Sequence, residues 1–423
     1  MPTTFAIPGV NSLHGSVSIS GSKNAALALI TASILTSGQT TLQNVPQISD
    51  IDNQCAILSH LGVLISRAKT TLHLDTTNLQ SRDIPPYLTG KLRASVLILG
   101  ALLARFGHAR IGVPGGCRLG KRSIDQHVTG LEQLGACVKI DAGWIEGYVP
   151  SSGLRGAVVR LQTPTVLGTE NLMLAACLAQ GTTHIRNAAQ EPEVVDLARC
   201  LAGMGVGVGG AGTSNLVIQG RREYVRPVRY RVMEDRIEAG TFLILGAMLG
   251  NPLTVRGCRA DYQRELIRVL RGVGAVVNVE GKQTVVVYRA MRPRAMNVST
   301  GPYGAFPTDL QPQLMALLAT ARGVSRVEET IFEQRFNQVA GLRSMGADID
   351  VQGQVAVVRG VSHLSGSIVD ARDLRAGASL VLAAVGAHGV TCVQSVEHID
   401  RGYDDFENKL RGLGVSIRRV PES

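Results

Sequence analysis

The stretch Gly112-Val113-Pro114-Gly115-Gly116-Cys117-Arg118-Leu119-Gly120-Lys121-Arg122 carries a single thiol among glycines and cations. Four glycines and one proline exclude regular structure there. Arg118, Lys121 and Arg122 follow the thiol closely, and positive neighbours lower a thiol pKa and favour the thiolate. Two readings fit. One is a mobile lid with a reactive Cys117; the other is a plain turn holding a small apolar cysteine. The other six cysteines, Cys55, Cys137, Cys177, Cys200, Cys258 and Cys392, lie in apolar or strand-like contexts and read as core.

A second set of chemically able residues recurs at fixed spacing. Asn24, Arg93, Leu167, Arg236, Asp309 and Arg375 each stand fourteen residues before a glycine, at the start of an apolar run. Their neighbours add Lys23, Glu170, Asp235 and Asp373. Helix capping accounts for Asn24, Asp235, Asp309 and Asp373. It does not account for Arg93, Arg236 and Arg375, because cations oppose the positive end of a helix dipole. Cations at helix starts fit a bound anion, with free backbone N–H groups helping to hold it.

The elements that must position these residues repeat. The runs AALALITASIL, ASVLILGALLA, NLMLAACLA, TFLILGAML, QLMALLATA and ASLVLAAVGA are apolar nearly all round, as buried helices are. Each is closed by a glycine: Gly38, Gly107, Gly181, Gly250, Gly323 and Gly389. A glycine there suits a helix C-cap of positive φ, and a short β-rich run follows. A second marker, an apolar pair ending in glycine before a strand-like run, falls at Gly62, Gly135, Gly205, Gly274, Gly346 and Gly414. Its spacings are 73, 70, 69, 72 and 68 residues. The expectation is an α/β protein of six βαβαββ-like repeats, with helices in the cores and sheets over them. Six repeats form one ring or two groups of three, and the length favours two. If the two groups face one another, the six helix starts converge on a cleft, a common place for a ligand.

Composition narrows the partners. A chain of 423 residues suggests two domains. With aromatics at 4%, its cores must be built from Ala, Val, Leu and Ile. The net charge of +10 suits nucleic acid, an anionic membrane or an anionic metabolite. Scattered cations with few aromatics disfavour nucleic acid and leave an anionic metabolite or a merely basic surface. An odd cysteine count without C-x-x-C spacing signals neither zinc nor a disulfide framework. The N-terminus lacks the layout of a secretion signal. The apolar runs are shorter than the ~20 residues of a membrane span. A soluble, cytoplasmic protein without metal or cofactor is expected.

The chain resembles the UDP-N-acetylglucosamine 1-carboxyvinyltransferase family of the EPSP synthase superfamily. The stretches that carry the resemblance are SGSKNAALAL (20–29), PGGCRLGKRSIDQHVTGLEQLGA (114–136), NAAQEPEVVD (187–196) and EDRIEAGTF (234–242). AFPTDLQPQ (305–313), ETIFEQRF (329–336), DLRAGASLVLA (373–383) and HIDRGYDDFENKLRGLG (398–414) complete them, nearly end to end. The resemblance implies a two-domain inside-out α/β barrel fold with three repeats per domain. Residues 22–231 would form the first domain, and 1–21 with 232–423 the second.

It also implies transfer of an enolpyruvyl group from phosphoenolpyruvate to the 3-hydroxyl of UDP-N-acetylglucosamine, with phosphate release. That is the first committed step of peptidoglycan synthesis. Lys23, Arg93, Arg122, Arg335, Arg375 and Arg401 would hold phosphoenolpyruvate. Asn24, Arg93, Ser123, Asp125, His127, Thr165, Asp309 and Ile331 would contact the nucleotide sugar. Cys117, Asp309, Lys23 and Arg401 would be catalytic, with Asp309 taking the 3-hydroxyl proton and Cys117 the target of fosfomycin. Arginine suits both phosphate and carboxylate because its planar fork donates two hydrogen bonds at once.

The chain departs from the family at Thr165-Val166-Leu167-Gly168, at Lys121 and in its basic excess. Rival readings are a paralogue with another acceptor and a non-catalytic UDP-sugar sensor. An EPSP synthase is a weaker rival, since it lacks the lid cysteine and has a Gly-Asn-Ala-Gly-Thr stretch that is not found here. A monomer or weak homo-oligomer is expected.

Overall fold

The computed structural model describes residues 3–116, 120, 123–221 and 225–421. They fall into two compact units. The first holds the described residues of 21–233 except Gly120, and the second holds 3–20, Gly120 and 234–421.

Each unit has three sheets. In the first, Gln39–Gln43 pairs antiparallel with Thr71–Asp75 and parallel with Arg229–Arg231. Thr182–Arg186 is built alike, antiparallel to Asn215–Gln219 and parallel to Val158–Arg160. The sheet of His108–Gly112 has three strands, and only an isolated parallel bridge from Ile84 to Ile111 stands where a fourth would run. In the second unit Gly250–Arg256 and Val324–Glu328 repeat the pattern. The third sheet there is completed from the start of the chain. Thr3–Pro8 lies antiparallel between Val390–Gln394 and Arg418–Pro421, while Leu13–Ser18 pairs parallel with Gly250–Arg256. Among the described residues the sheets stay separate and do not hydrogen-bond into a closed barrel.

The six apolar runs are helices, and they are the cores. In Leu374–Val385 every residue is buried, and in Arg236–Leu249 nearly every one. Each fully buried Leu or Ile contributes about 1.5–3 kcal/mol of transfer free energy. Helix Leu97–Phe106 packs on Val166–Ala176, and Gln311–Leu318 packs on both Arg236–Leu249 and Leu374–Val385. The apolar cores of the two units are separate clusters.

Eleven of the twelve marker glycines have positive φ; Gly250 does not. Gly250 has φ −63, and the helix runs directly into a strand. A Cβ there would meet Gly246 O at 2.6 Å, so close packing and not φ requires the glycine. The expected C-cap role holds at Gly107, where the N–H bonds Leu103 O and the backbone is left-handed. Gly38, Gly181, Gly323 and Gly389 lie in the turn beyond their helix's cap residue. No helix among the described residues is long and apolar enough to cross a membrane.

Candidate active site

Each of the six spaced positions falls in the first turn of a buried helix or of the 3₁₀ turn leading into one. Lys23 opens the helix Lys23–Ala32, whose N-cap is Ser22, its Oγ accepting from Ala25 N at 3.3 Å. Ser22, not Asn24, is therefore the cap, and Asn24 is left half-buried one residue inside the helix. Lys23 Nζ lies 2.6 Å from Asp50 Oδ2, and the Asp50 side chain is 1% exposed.

Arg93 opens the 3₁₀ turn Arg93–Val96. Its Nη1 donates to Pro114 O at 3.2 Å and its Nη2 to Ser123 O at 3.3 Å. One guanidinium thus holds the backbone at Pro114, inside the glycine-rich stretch, and at Ser123, just after it. The glycines before Cys117 are explained by the same packing. A Cβ on Gly115 would meet Gly90 O at 1.8 Å, and one on Gly116, at φ +106, would meet Arg93 Cβ at 3.1 Å. Cys117 and Arg122 lie outside the described residues.

Ser123 Oγ accepts from Asp125 N at 3.0 Å at the start of helix Asp125–Gln133, where both residues are exposed. His127 in that helix is buried, its Nδ1 3.1 Å from Asn171 Nδ2. Asn171 Oδ1 accepts from Gly100 N at 3.0 Å. Burial pushes the His127 pKa down to about 4, with the charge of Arg93 adding to the effect. The imidazole is neutral at pH 7. The Asn171 amide then donates to Nδ1 and leaves Nε2–H as the ring's donor. Thr165 caps the helix Val166–Ala176, its Oγ1 3.5 Å from Gly168 N. Leu167, which follows, packs against the core of the first unit.

In the second unit, Asp235 and Asp373 are true caps. Asp235 Oδ1 accepts from Ile237 N and Glu238 N, and Asp373 Oδ1 from Arg375 N and Ala376 N. Asp309 is not a cap: no side chain caps its 3₁₀ turn Thr308–Leu310. Its carboxylate faces two arginines instead. Arg335 Nη2 donates to Asp309 Oδ1 at 2.6 Å, and Arg375 Nη2 lies 3.5 Å from Oδ2. Arg335 and Arg375 are 4% and 5% exposed. Burial alone would raise the Asp309 pKa. Arg375, then Arg335, outweigh it and hold the carboxyl well below the usual range. Two buried guanidiniums against one carboxylate leave an excess of positive charge, the condition for binding an anion.

Arg236 lies with its guanidinium carbon 5.8 Å from the Tyr303 ring centroid. Arg401 is half-buried in the turn before helix Phe406–Gly412. Two residues on, the Tyr403 ring lies 5.5 Å from the Arg375 guanidinium carbon, and its hydroxyl meets Thr241 Oγ1 and Gln313 Nε2. Ile331 is 39% exposed, and its N–H donates to Glu329 Oε1 at 2.9 Å.

A model of the family described as EPSP synthase (3-phosphoshikimate 1-carboxyvinyltransferase) matches residues 7–410. The chain belongs to the EPSP synthase family.

Relatives of this EPSP synthase family member include a protein named UDP-N-acetylglucosamine 1-carboxyvinyltransferase from Anaeromyxobacter sp. (strain K). It is 48% identical over 420 residues, covering 98% of this chain and 99% of that protein. A protein of the same name from Trichlorobacter lovleyi is 45% identical over 417 residues, with the same coverage. Among solved structures, the enolpyruvyl transferase NikO from Streptomyces tendae aligns over 100% of both chains with TM-score 0.89 and 25% identity. EPSP synthase from Acinetobacter baumannii aligns at TM-score 0.76 and 17% identity, over 99% of this chain and 100% of that one, a likeness of fold.

Sequence reading missed three residues that bond to candidate site residues of this family member: Asp50 to Lys23, Asn171 to His127 and Glu329 to Ile331. Asp50 resembles an ordinary first-turn acid of helix Ser49–His60, and nothing local marks it as the counter-ion of Lys23. Asn171 sits inside an apolar run, where an amide that must be satisfied is a usable signal. Among the described residues no cluster of His, Cys, Asp and Glu could hold a metal ion.

Proposed function

We propose that this chain transfers the enolpyruvyl group of phosphoenolpyruvate to the 3-hydroxyl of UDP-N-acetylglucosamine and releases phosphate. The observation that carries the reading is Asp309 held between buried Arg335 and Arg375. Its support is near-full-length identity of 48% to proteins of that activity's name.

The chemistry follows from the residues. Phosphoenolpyruvate brings a carboxylate that competes with Asp309 for Arg335 and Arg375. As those guanidiniums turn to the substrate, Asp309 loses the charges that depress its pKa and gains basicity. It then takes the 3-hydroxyl proton, and that oxygen bonds to the enol carbon while the methylene carbon gains a proton. Loss of a proton from the new methyl group re-forms the double bond and expels phosphate. Asp309 and Cys117 are the pair for these transfers, each contributing about 10²–10⁴-fold. Lys23, Arg93, Arg122 and Arg401 serve the phosphate and carboxylate charges. Asn24, Ser123, Asp125, His127, Thr165 and Ile331 serve the nucleotide sugar.

All six described cysteines are free thiols, which fits a reducing, cytoplasmic setting.

The test is phosphate release from phosphoenolpyruvate with UDP-N-acetylglucosamine as acceptor. Release that depends on the sugar supports the reading. Silence with this acceptor and turnover with another nucleotide sugar would assign the chain to a paralogous transferase. Nucleotide-sugar binding without any turnover would make it a sensor.

A further inference from the structure

Glu329 is fully buried, and among the described residues no cation pairs with it. Its two oxygens instead accept four hydrogen bonds. Oε1 takes Thr300 Oγ1 at 3.0 Å, Ile331 N at 2.9 Å and Phe332 N at 3.1 Å. Oε2 takes Thr308 Oγ1 at 3.0 Å. Thr300 is itself tied to the same turn, its Oγ1 accepting from Thr330 N at 2.9 Å and its carbonyl from Thr330 Oγ1 at 2.7 Å. A buried carboxylate without a counter-ion is costly unless its acceptors are filled, and here both oxygens are used.

The two oxygens lead to the two sides of one functional pair. Thr308 immediately precedes Asp309. Phe332, on the other side, places its ring centroid 5.2 Å from the Arg335 guanidinium carbon. Arg335 in turn donates to Asp309 at 2.6 Å. Ile331, expected at the nucleotide, sits in the turn that Oε1 closes. We propose that Glu329 is a positioning residue. Its carboxylate braces the Thr308–Asp309 turn against the Ile331–Phe332 turn and so sets the Asp309–Arg335 geometry. This rests on the reading of Asp309 as the base.

Glu329 touches no reacting atom on this account, so the test needs readouts that loss of stability alone does not move. In Glu329→Ala the kcat falls, and KM for the nucleotide sugar rises through Ile331. A misplacement on the order of 1 Å costs about 10²-fold in rate. Thr308→Val removes only the link on the Asp309 side, so kcat falls with KM for the sugar unchanged. Glu329→Gln rescues: its carbonyl keeps the three Oε1 bonds, and its amide donates to a Thr308 hydroxyl that turns to accept. The acid limb of the kcat/KM pH profile gives a further signature. Asp309 is faced by Arg335, Arg375 and Arg236. Loosening the Arg335 contact raises the depressed Asp309 pKa, so the limb moves to higher pH in Glu329→Ala and Thr308→Val and stays put in Glu329→Gln.

Wild-type kcat and an unmoved limb in folded Thr308→Val would overturn the proposal. So would a Glu329→Gln enzyme as damaged as Glu329→Ala. Crystal structures of the variants decide the brace without reference to the reaction. The Asp309–Arg335 contact opens in Glu329→Ala and persists in Glu329→Gln, and an unopened contact in the first refutes the brace. A wild type that releases no phosphate would instead sink the reading of the reaction.

Discussion

Replacing Asp309 by alanine separates the catalytic reading from a structural one, because the two predict different magnitudes. As the base for the 3-hydroxyl, Asp309 supplies about 10²–10⁴-fold in kcat, on the order of 3–5 kcal/mol at 1.36 kcal/mol per decade. Its structural cost is smaller. Removing one partner of a buried ion pair costs about 3–5 kcal/mol. The Asp309 side chain, however, is 27% exposed, and its contact to Arg375 is 3.5 Å, so solvent screening reduces the figure to about 1–3 kcal/mol. The two arginines left behind are buried cations without their carboxylate, so inorganic phosphate should raise the melting temperature of Asp309→Ala more than that of wild type. Phosphate release and thermal unfolding, each with and without added phosphate, read both effects. The pH dependence has a fixed sign. The folded pKa of Asp309 is depressed, so its stabilisation is fully present above the unfolded value of about 3.9 and is lost as pH falls toward the folded value. The stability gap between wild type and Asp309→Ala should therefore be constant from neutrality to about pH 5 and close below about pH 4. A kcat within tenfold of wild type, or a gap that widens on acidification, would refute the reasoning.

Other outcomes follow from the same structure. His127 has a folded pKa near 4 against 6.5 when unperturbed, so the unfolded chain takes up its proton first. Stability should decline as pH falls from about 6.5 to about 4, by up to about 3 kcal/mol, and His127→Gln should remove that slope in denaturant titrations. Lys23→Ala removes the ion pair with buried Asp50 and should destabilise the fold by about 1–3 kcal/mol as well as raising KM for phosphoenolpyruvate. Adding Asp50→Ala should recover part of the stability but none of the KM, and additive stability losses would argue against coupling. Fosfomycin should alkylate Cys117 and none of the other six thiols. Burial pushes the thiols of Cys258 and Cys55 up to about 12 and about 11, and exposed Cys137 serves as the control in peptide mapping.

Much of this was legible in the chain because it is local and repeated. Apolar runs closed by glycine marked six buried helices, and fourteen-residue spacing placed Arg93, Arg236 and Arg375 at their starts. What escaped was partner choice. Asp50 lies 27 residues beyond Lys23, Asp309 meets Arg335 26 residues on, and Asn171 reaches Gly100 across 71. No local pattern encodes such pairings, because the sheets and turns between the partners set the distances. For the same reason Asn24 and Asp309 looked like caps. Asn and Asp are good capping residues, but Ser22 occupies the first cap position and Arg335 claims the Asp309 carboxylate.

Because Thr3–Pro8 is flanked by Val390–Gln394 and Arg418–Pro421, this strand waits for partners made much later in synthesis. On the ribosome, residues 21–233 can complete their own sheets while the amino-terminal strands still lack partners. The second unit closes only once Arg418–Pro421 has been made. Its folding therefore ends on a long loop closure. Removing Arg418–Pro421 should leave Thr3–Pro8 as an open, aggregation-prone edge.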